Sequence, residues 1–173
     1  VMPSPYKASP AAYNVHAAVM KARPDIMAAV HTHTPANLAV SAQKHGLIPI
    51  TQQAMRFYGR IGYYRNEYDD TTAEGTAHLA RALEDRWFMI LENHGVLICG
   101  TTLAEAYIFH HFFELACRAQ VGALRARMRE LRAEMVALDE RIGELQDAYK
   151  TLADPFRRAE YDRAESWYAR LIS

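Results

Sequence analysis

The chain has 173 residues, half of them hydrophobic, and its twenty basic and twenty acidic side chains cancel. That length buries one real core with room for an appendage, and the cancelled charge excludes a global field steering the protein to nucleic acid or an anionic membrane. No apolar run approaches the roughly 18 residues that span a bilayer, and Cys99 and Cys117 form neither a disulfide framework nor a CxxC metal motif. A reduced, cytoplasmic setting is therefore expected. The opening VMPSPYKASP lacks the apolar stretch of a secretory signal and reads as a loop entered midway, as if an N-terminal part were missing.

In chain order, AAYNVHAAVMKARP has helical periodicity and ends at Arg23-Pro24. DIMAAVHTH reads as a short buried strand, PANLAVSAQKHG as a helix closed by Gly46, and IPITQ as another strand. TTAEGTAHLARALEDR opens with threonines and an acid, as a helix N-terminus does. WFMILENHGVLICG reads as strand, sharp turn, strand, and TTLAEAYIFHHFFELACRAQVGAL as a long helix. The fold class that follows is α/β, with helices around a mainly antiparallel or mixed sheet.

Composition breaks near residue 123. Residues 124–173 carry twenty charged side chains, as many as the preceding 123, whereas all eight histidines lie before the break. We therefore divide the chain into a binding or catalytic body (1–123) and an amphipathic helical tail (124–173). Leu124, Met128, Leu131, Met135, Leu138, Ile142, Leu145, Tyr149 and Leu152 alternate spacings of four and three, an a/d seam about four heptads long. Asp154-Pro155 stops that helix. A second helix from Phe156 to Leu171 would present Ala164, Trp167, Tyr168 and Leu171, making a charged hairpin. The seam serves either packing within the chain or self-association.

Two histidines close the first strand. His31 and His33 are two residues apart, so both side chains leave one face, about 7 Å apart along the backbone. A lone HxH is a weak metal signal. His94, where an apolar strand meets Gly95, offers a third imidazole; three imidazoles with an open position suit a catalytic divalent ion. The plainer reading of His94 is a turn residue bonded to local backbone. His16 reads as packing or as support behind the ligands. His45 suits a helix C-terminus, His78 a solvated face, and His110 or His111 a structural pair with Glu114.

Three stretches together resemble the class II aldolase/adducin family. They are HAAVMKARPDIMAAVHTHTPANLAVSA (16–42), TQQAMRFYGRIGYY (51–64) and ENHGVLICGTTLAEAYIFHHFFELACRAQV (92–121), the last carrying Phe113-Glu114-Leu115-Ala116-Cys117 in the place of a family LExxC element. The resemblance covers about residues 10–123. It implies a three-layer α/β/α domain with a mainly antiparallel sheet, usually a homotetramer. It also implies His31, His33 and His94 as ligands of a divalent metal, Zn²⁺ first, with Mn²⁺, Fe²⁺ or Co²⁺ as alternatives. In the family's aldolases that metal polarises substrate oxygens and stabilises an enolate as a carbon–carbon bond breaks.

Two departures follow. The family's sugar-phosphate enzymes place an acid four residues before the histidine matched by His16, and this chain has Ala12 there. Glu92 lies two residues before His94, a spacing that would share a strand face, and is more suited to support than to proton transfer. The family's phosphate loops precede the region present here, and branches without the acid include decarboxylases. The aromatics Phe57, Tyr58, Tyr63, Tyr64 and Tyr68 would suit a planar substrate, and core packing explains most of them equally well. The resemblance implies a metal-dependent lyase of aldolase or decarboxylase type acting on a small oxygenated carbonyl or carboxylate compound. The alternative is a non-catalytic, adducin-like scaffold assembled through the tail. Separately, DAYKTLADPFRRAEYD (147–162) resembles the closing helices of a J domain, but the His-Pro-Asp tripeptide of such domains is absent.

Overall fold

Four short strands carry the apolar segments of the sequence. In the computed structural model, which describes residues 10–65 and 72–172, β1 (Ala28–Thr32), β2 (Ile61–Tyr64), β3 (Phe88–Leu91) and β4 (Gly95–Gly100) form one sheet in the order β1-β4-β3-β2. β4 runs antiparallel to both neighbours, with Ile98 opposite Val30 on one side and Phe88 on the other, while β2 joins β3 in parallel.

Both faces of the sheet are covered, which is why β3 and β4 are apolar at nearly every position. Met89, Leu91, Leu97 and Cys99 point to one face. There they meet Val15 and Val19 of α1 (Pro10–Ala22) and Leu79 and Leu83 of α4 (Ala73–Leu83). Phe88, Ile90, Val96 and Ile98 point to the other face. They meet Val40 of α2 (Pro35–Ser41), Ala54 of α3 (Gln52–Met55), and Phe113, Ala116 and Cys117 of α5 (Leu103–Ala153). This is the expected three-layer α/β/α arrangement. Thr34, Thr51 and Thr72 cap α2, α3 and α4 by accepting from the amides of Asn37, Ala54 and Gly75.

Three expectations change. IPITQ is not a strand: Pro49 offers no amide to a ladder, Ile50 is exposed, and Thr51 opens α3. The strand of that region is β2, which begins thirteen residues after Ile48. α2 ends at Ser41 rather than at Gly46, its Oγ donating to the Leu38 carbonyl (2.8 Å); His45 therefore lies outside the last helical turn. The aromatics do not form one cluster either. Phe57 and Tyr64 are buried in cores on opposite faces of the sheet, Tyr58 and Tyr63 are exposed, and Tyr68 lies outside the described residues.

The chain divides into two compact units, Val1–Leu124 and Arg125–Ser173. In the second, α5 continues to Ala153 and α6 spans Pro155–Ile172. Proline takes the first position of α6, where a missing amide costs nothing, and the Asp154 carboxylate accepts from the Phe156 amide (2.9 Å). The heptad seam is uncovered along its length, with Met135 63% and Leu138 61% exposed. Ala164 and Trp167 are also exposed, while the side chains of Tyr168 and Leu171 lie outside the described residues. Among the described residues no helix is long and apolar enough to cross a membrane.

Candidate metal centre

Strand alternation decides how His31-Thr32-His33-Thr34 is used. His31 on β1 and His33 just beyond it turn to one side, and the two threonines turn to the other. The Thr32 hydroxyl accepts from the Asn37 side-chain amide (2.9 Å) and lies 2.8 Å from His110 Nε2. Its remaining proton points it to that imidazole as a donor. Thr34 donates its hydroxyl to the Glu114 carboxylate, which Arg118 holds from the next turn of α5 (2.9 Å). Each threonine thus ties the strand end to α2 and α5, fixing the histidines between them.

His94 arrives from the turn between β3 and β4. Its amide donates to the Leu91 carbonyl (3.0 Å), and the amide of Asn93, at φ 57°, donates to the Ser41 carbonyl (3.1 Å). Gly95 follows at φ 149°, a backbone that side-chained residues rarely adopt. A Cβ there would stand 2.4 Å from the Thr32 carbonyl oxygen and 2.8 Å from His33 Cδ2. Only glycine lets the turn lie so close under the end of β1, and that proximity carries His94 to the other two imidazoles.

One ligand atom from each of His31, His33 and His94 lies within 4.8 Å of the others. The Nε2 atoms of His31 and His33 are 3.0 Å apart. The His33 and His94 rings stack at 4.8 Å between centroids, and the His31 ring stands edge-on to both. His31 Nδ1 is 2.9 Å from the Val96 carbonyl, which can only accept. That bond puts the His31 proton on Nδ1 and leaves the Nε2 lone pair facing the cluster. Burial pushes the His31 pKa down to about 4, and the neighbouring imidazoles add to the effect against the opposing Val96 bond. His31 is therefore neutral at ordinary pH, the form that binds a metal.

The donor set fits a divalent cation. Tetrahedral Zn²⁺ with nitrogens at 2.0–2.1 Å holds them about 3.3 Å apart, close to the His31–His33 separation of 3.0 Å. Three imidazoles without a carboxylate favour Zn²⁺ or another transition ion over Mg²⁺ or Ca²⁺.

The remaining candidates fall elsewhere. His16 packs edge-on behind His31 at 6.4 Å between centroids, and burial lowers its pKa. His110 is half-buried against Thr32 and His111 is exposed, so Glu114 serves Thr34 and Arg118 rather than a histidine pair. Glu92 lies 3.7 Å from Arg65 and lines a cleft of about 650 Å³ with Lys44, His45, Tyr63, His78 and Arg81. That cleft does not include the three histidines. Sequence reasoning missed the Thr32 and Thr34 anchors, although the period of two that paired the histidines also pairs the threonines.

A family model described as the class II aldolase and adducin N-terminal domain matches residues 1–121. A protein provisionally named aldolase class 2 in Pseudomonas aeruginosa is 39% identical over 123 residues, 71% of this chain and 48% of its own. One of the same provisional name in Caulobacter vibrioides is 34% identical over 170 residues, 96% of this chain and 66% of its own. The latter similarity runs on into the tail. Human gamma-adducin is 38% identical over 115 residues, 65% of this chain and 16% of its own. The chain thus spans about half to two-thirds of the bacterial relatives and a small part of the adducin. Among solved structures, an aldolase II superfamily protein of Pseudomonas syringae superposes with TM-score 0.66 at 38% identity, covering 72% of this chain and 50% of that one. L-fuculose 1-phosphate aldolase of Glaciozyma antarctica gives 0.58 at 34%, covering 67% and 43%. The chain belongs to the class II aldolase and adducin family.

Proposed function

We propose that the protein is a divalent-metal-dependent carbon–carbon lyase, of aldolase or decarboxylase type, acting on a small oxygenated carbonyl or carboxylate compound. The observation that carries this reading is the convergence of His31, His33 and His94 within 4.8 Å. When bound, the cation supplies Lewis-acid stabilisation of the negative charge that builds on a substrate oxygen as the carbon–carbon bond breaks. His31 presents a lone pair set by the Val96 carbonyl, His33 is fixed by the threonines on either side of it, and His94 is fixed by the turn at Gly95. Zn²⁺ is the metal we favour.

Proton handling is where the chain departs from an aldolase. Ala12 stands where the family's sugar-phosphate enzymes carry an acid, and Glu92 faces Arg65. A decarboxylation needs no base to take a carbon-bound proton, so this departure favours the decarboxylase side of the reading. Assembly as a homotetramer belongs to the same proposal; the exposed Met55, Tyr58, Leu103, Tyr107 and Ile108 of the body support it. The two buried free thiols support a cytoplasmic setting.

The second reading, a scaffold without catalysis, draws on Ala12 and on the 38% identity to gamma-adducin. Metal analysis separates the two. The purified protein is expected to hold about one divalent ion per chain, lost in the His31→Ala/His94→Ala variant while circular dichroism stays unchanged. A folded protein that takes up no Zn²⁺ in calorimetric titration would overturn the lyase reading in favour of the scaffold.

A further inference from the structure

The seam of α5 leaves Met128, Leu131, Met135, Leu138, Ile142 and Leu145 exposed on a charged helix. Its heptad labels follow from the spacing: Met128, Met135 and Ile142 are a positions, and Leu131, Leu138 and Leu145 are d positions. The flanks are then Arg127, Glu134 and Arg141 at g, and Arg125, Arg132, Asp139 and Gln146 at e. These charges say which way a second helix can lie.

In a parallel pair each g residue faces the e residue five positions on in the other helix. That sets Arg127 against Arg132 and Glu134 against Asp139, both repulsive, and both twice over by symmetry. Reversing one helix brings like-labelled flanks together, g beside g and e beside e. One register then stands out. Met128 meets Leu145 of the second copy, Leu131 meets Ile142, and Met135 meets Leu138, with Leu124 against Tyr149 at each end. In that register Glu134 faces Arg141 and Arg132 faces Asp139, all four pairs attractive. Sliding one heptad in one direction sets Glu134 against Glu134 and Arg132 against Arg132. Sliding in the other sets Arg141 against Arg141 and Asp139 against Asp139. Both alternatives juxtapose like charges, which is how such flanks exclude a wrong register.

We propose that the tail pairs with the tail of a second copy of this chain as an antiparallel two-stranded coiled coil centred between Met135 and Leu138. The charges are free to do this at little cost. Arg127 pairs with Glu134 (3.4 Å) and Arg141 with Glu144 (3.0 Å) within one helix, all well exposed, and exposed pairs of this kind hold only weakly. Burial of the seam supplies the driving force. The pairing does not depend on the metal site, so it stands or falls apart from the lyase reading.

Cysteine placement tests orientation and register together. Full-length Met128→Cys and Leu145→Cys chains, carrying different tags, are co-expressed and oxidised with copper phenanthroline. The native thiols Cys99 and Cys117 are buried and their pKa values raised by burial, so they add little background. The expected product is the mixed disulfide, with neither variant cross-linking to itself. Self-linked products instead of the mixed one would establish a parallel pair and overturn the proposal. Absence of both would overturn pairing through this seam. Glu134→Arg gives an independent sign. It should weaken mixed cross-linking about tenfold in half-point concentration, with recovery in Glu134→Arg/Arg141→Glu; a parallel pair would be strengthened by the single change.

Discussion

The body and the tail answer the same pattern in opposite ways. In β1 a period of two sends His31 and His33 to one side and Thr32 and Thr34 to the other, and both sets find partners within the chain. In the tail a period of 3.5 gathers nine apolar residues on one stripe, and the single chain leaves that stripe uncovered. A strand alternation inside a three-layer fold is satisfied by neighbours that the same chain supplies. A helical stripe that its own unit leaves exposed calls for a partner from outside that unit.

The comparison breaks most visibly in the cores. Phe113 is fully buried against Phe57 at 4.8 Å between ring centroids, whereas Leu138 is exposed. Phe113→Ala should cost the body about 3–5 kcal/mol in denaturant unfolding followed by near-ultraviolet circular dichroism. Leu138→Ala should leave that same transition within about 0.5 kcal/mol and act only on the tail, through its helicity and its pairing with a second copy. Equal losses from the two changes would mean that the body relies on the seam.

A smaller effect separates the units by pH. The metal-free body holds His31 at a pKa of about 4, against 6.5 in an unfolded chain, and burial also lowers His110. Between pH 6.5 and 4 the unfolded chain takes up a proton that folded His31 refuses. Body stability should therefore fall through that window as pH drops and level off below it, by about 2 kcal/mol after allowing for solvent screening. The tail has no histidine and should not share this dependence. A thermal midpoint of the apo body that is flat from pH 6.5 to 4, or a slope undiminished in His31→Gln, would contradict the assignment, since His16 and His110 leave only a smaller residual slope.

The candidate site was more legible in the sequence than the sheet that builds it. His31, His33 and His94 are visible because HTH and NHG are local signals, and Gly95 marks the close approach. Topology is not local. IPITQ looks apolar and β-branched enough for a strand, but Pro49 and the Thr51 cap make it the entrance to α3. The true strand, Ile61–Tyr64, is short and earns its place by pairing in parallel with β3. Glu92 shows the same limit. Two residues from His94 it suggests a shared face, yet the turn at Asn93 swings it to Arg65.

The smallest expected effect sharpens what the tail charges do. Arg127 bonds Glu130 (3.1 Å) and Glu134 (3.4 Å), with every partner more than half exposed. Exposed pairs one turn or two apart stabilise a helix by only a few tenths of a kcal/mol. In the antiparallel register Arg127 faces Ala148 of the second copy, so it contributes no charge pair across the seam. Arg127→Ala should consequently change neither body unfolding nor mixed cross-linking at residues 128 and 145 beyond about 0.5 kcal/mol, unlike Glu134→Arg one heptad on at the same g position, where the facing residue is Arg141 of the second copy rather than Ala148. Loss of mixed cross-linking on Arg127→Ala would mean that Arg127 faces an acid of the second copy, and the register would have to move to accommodate it.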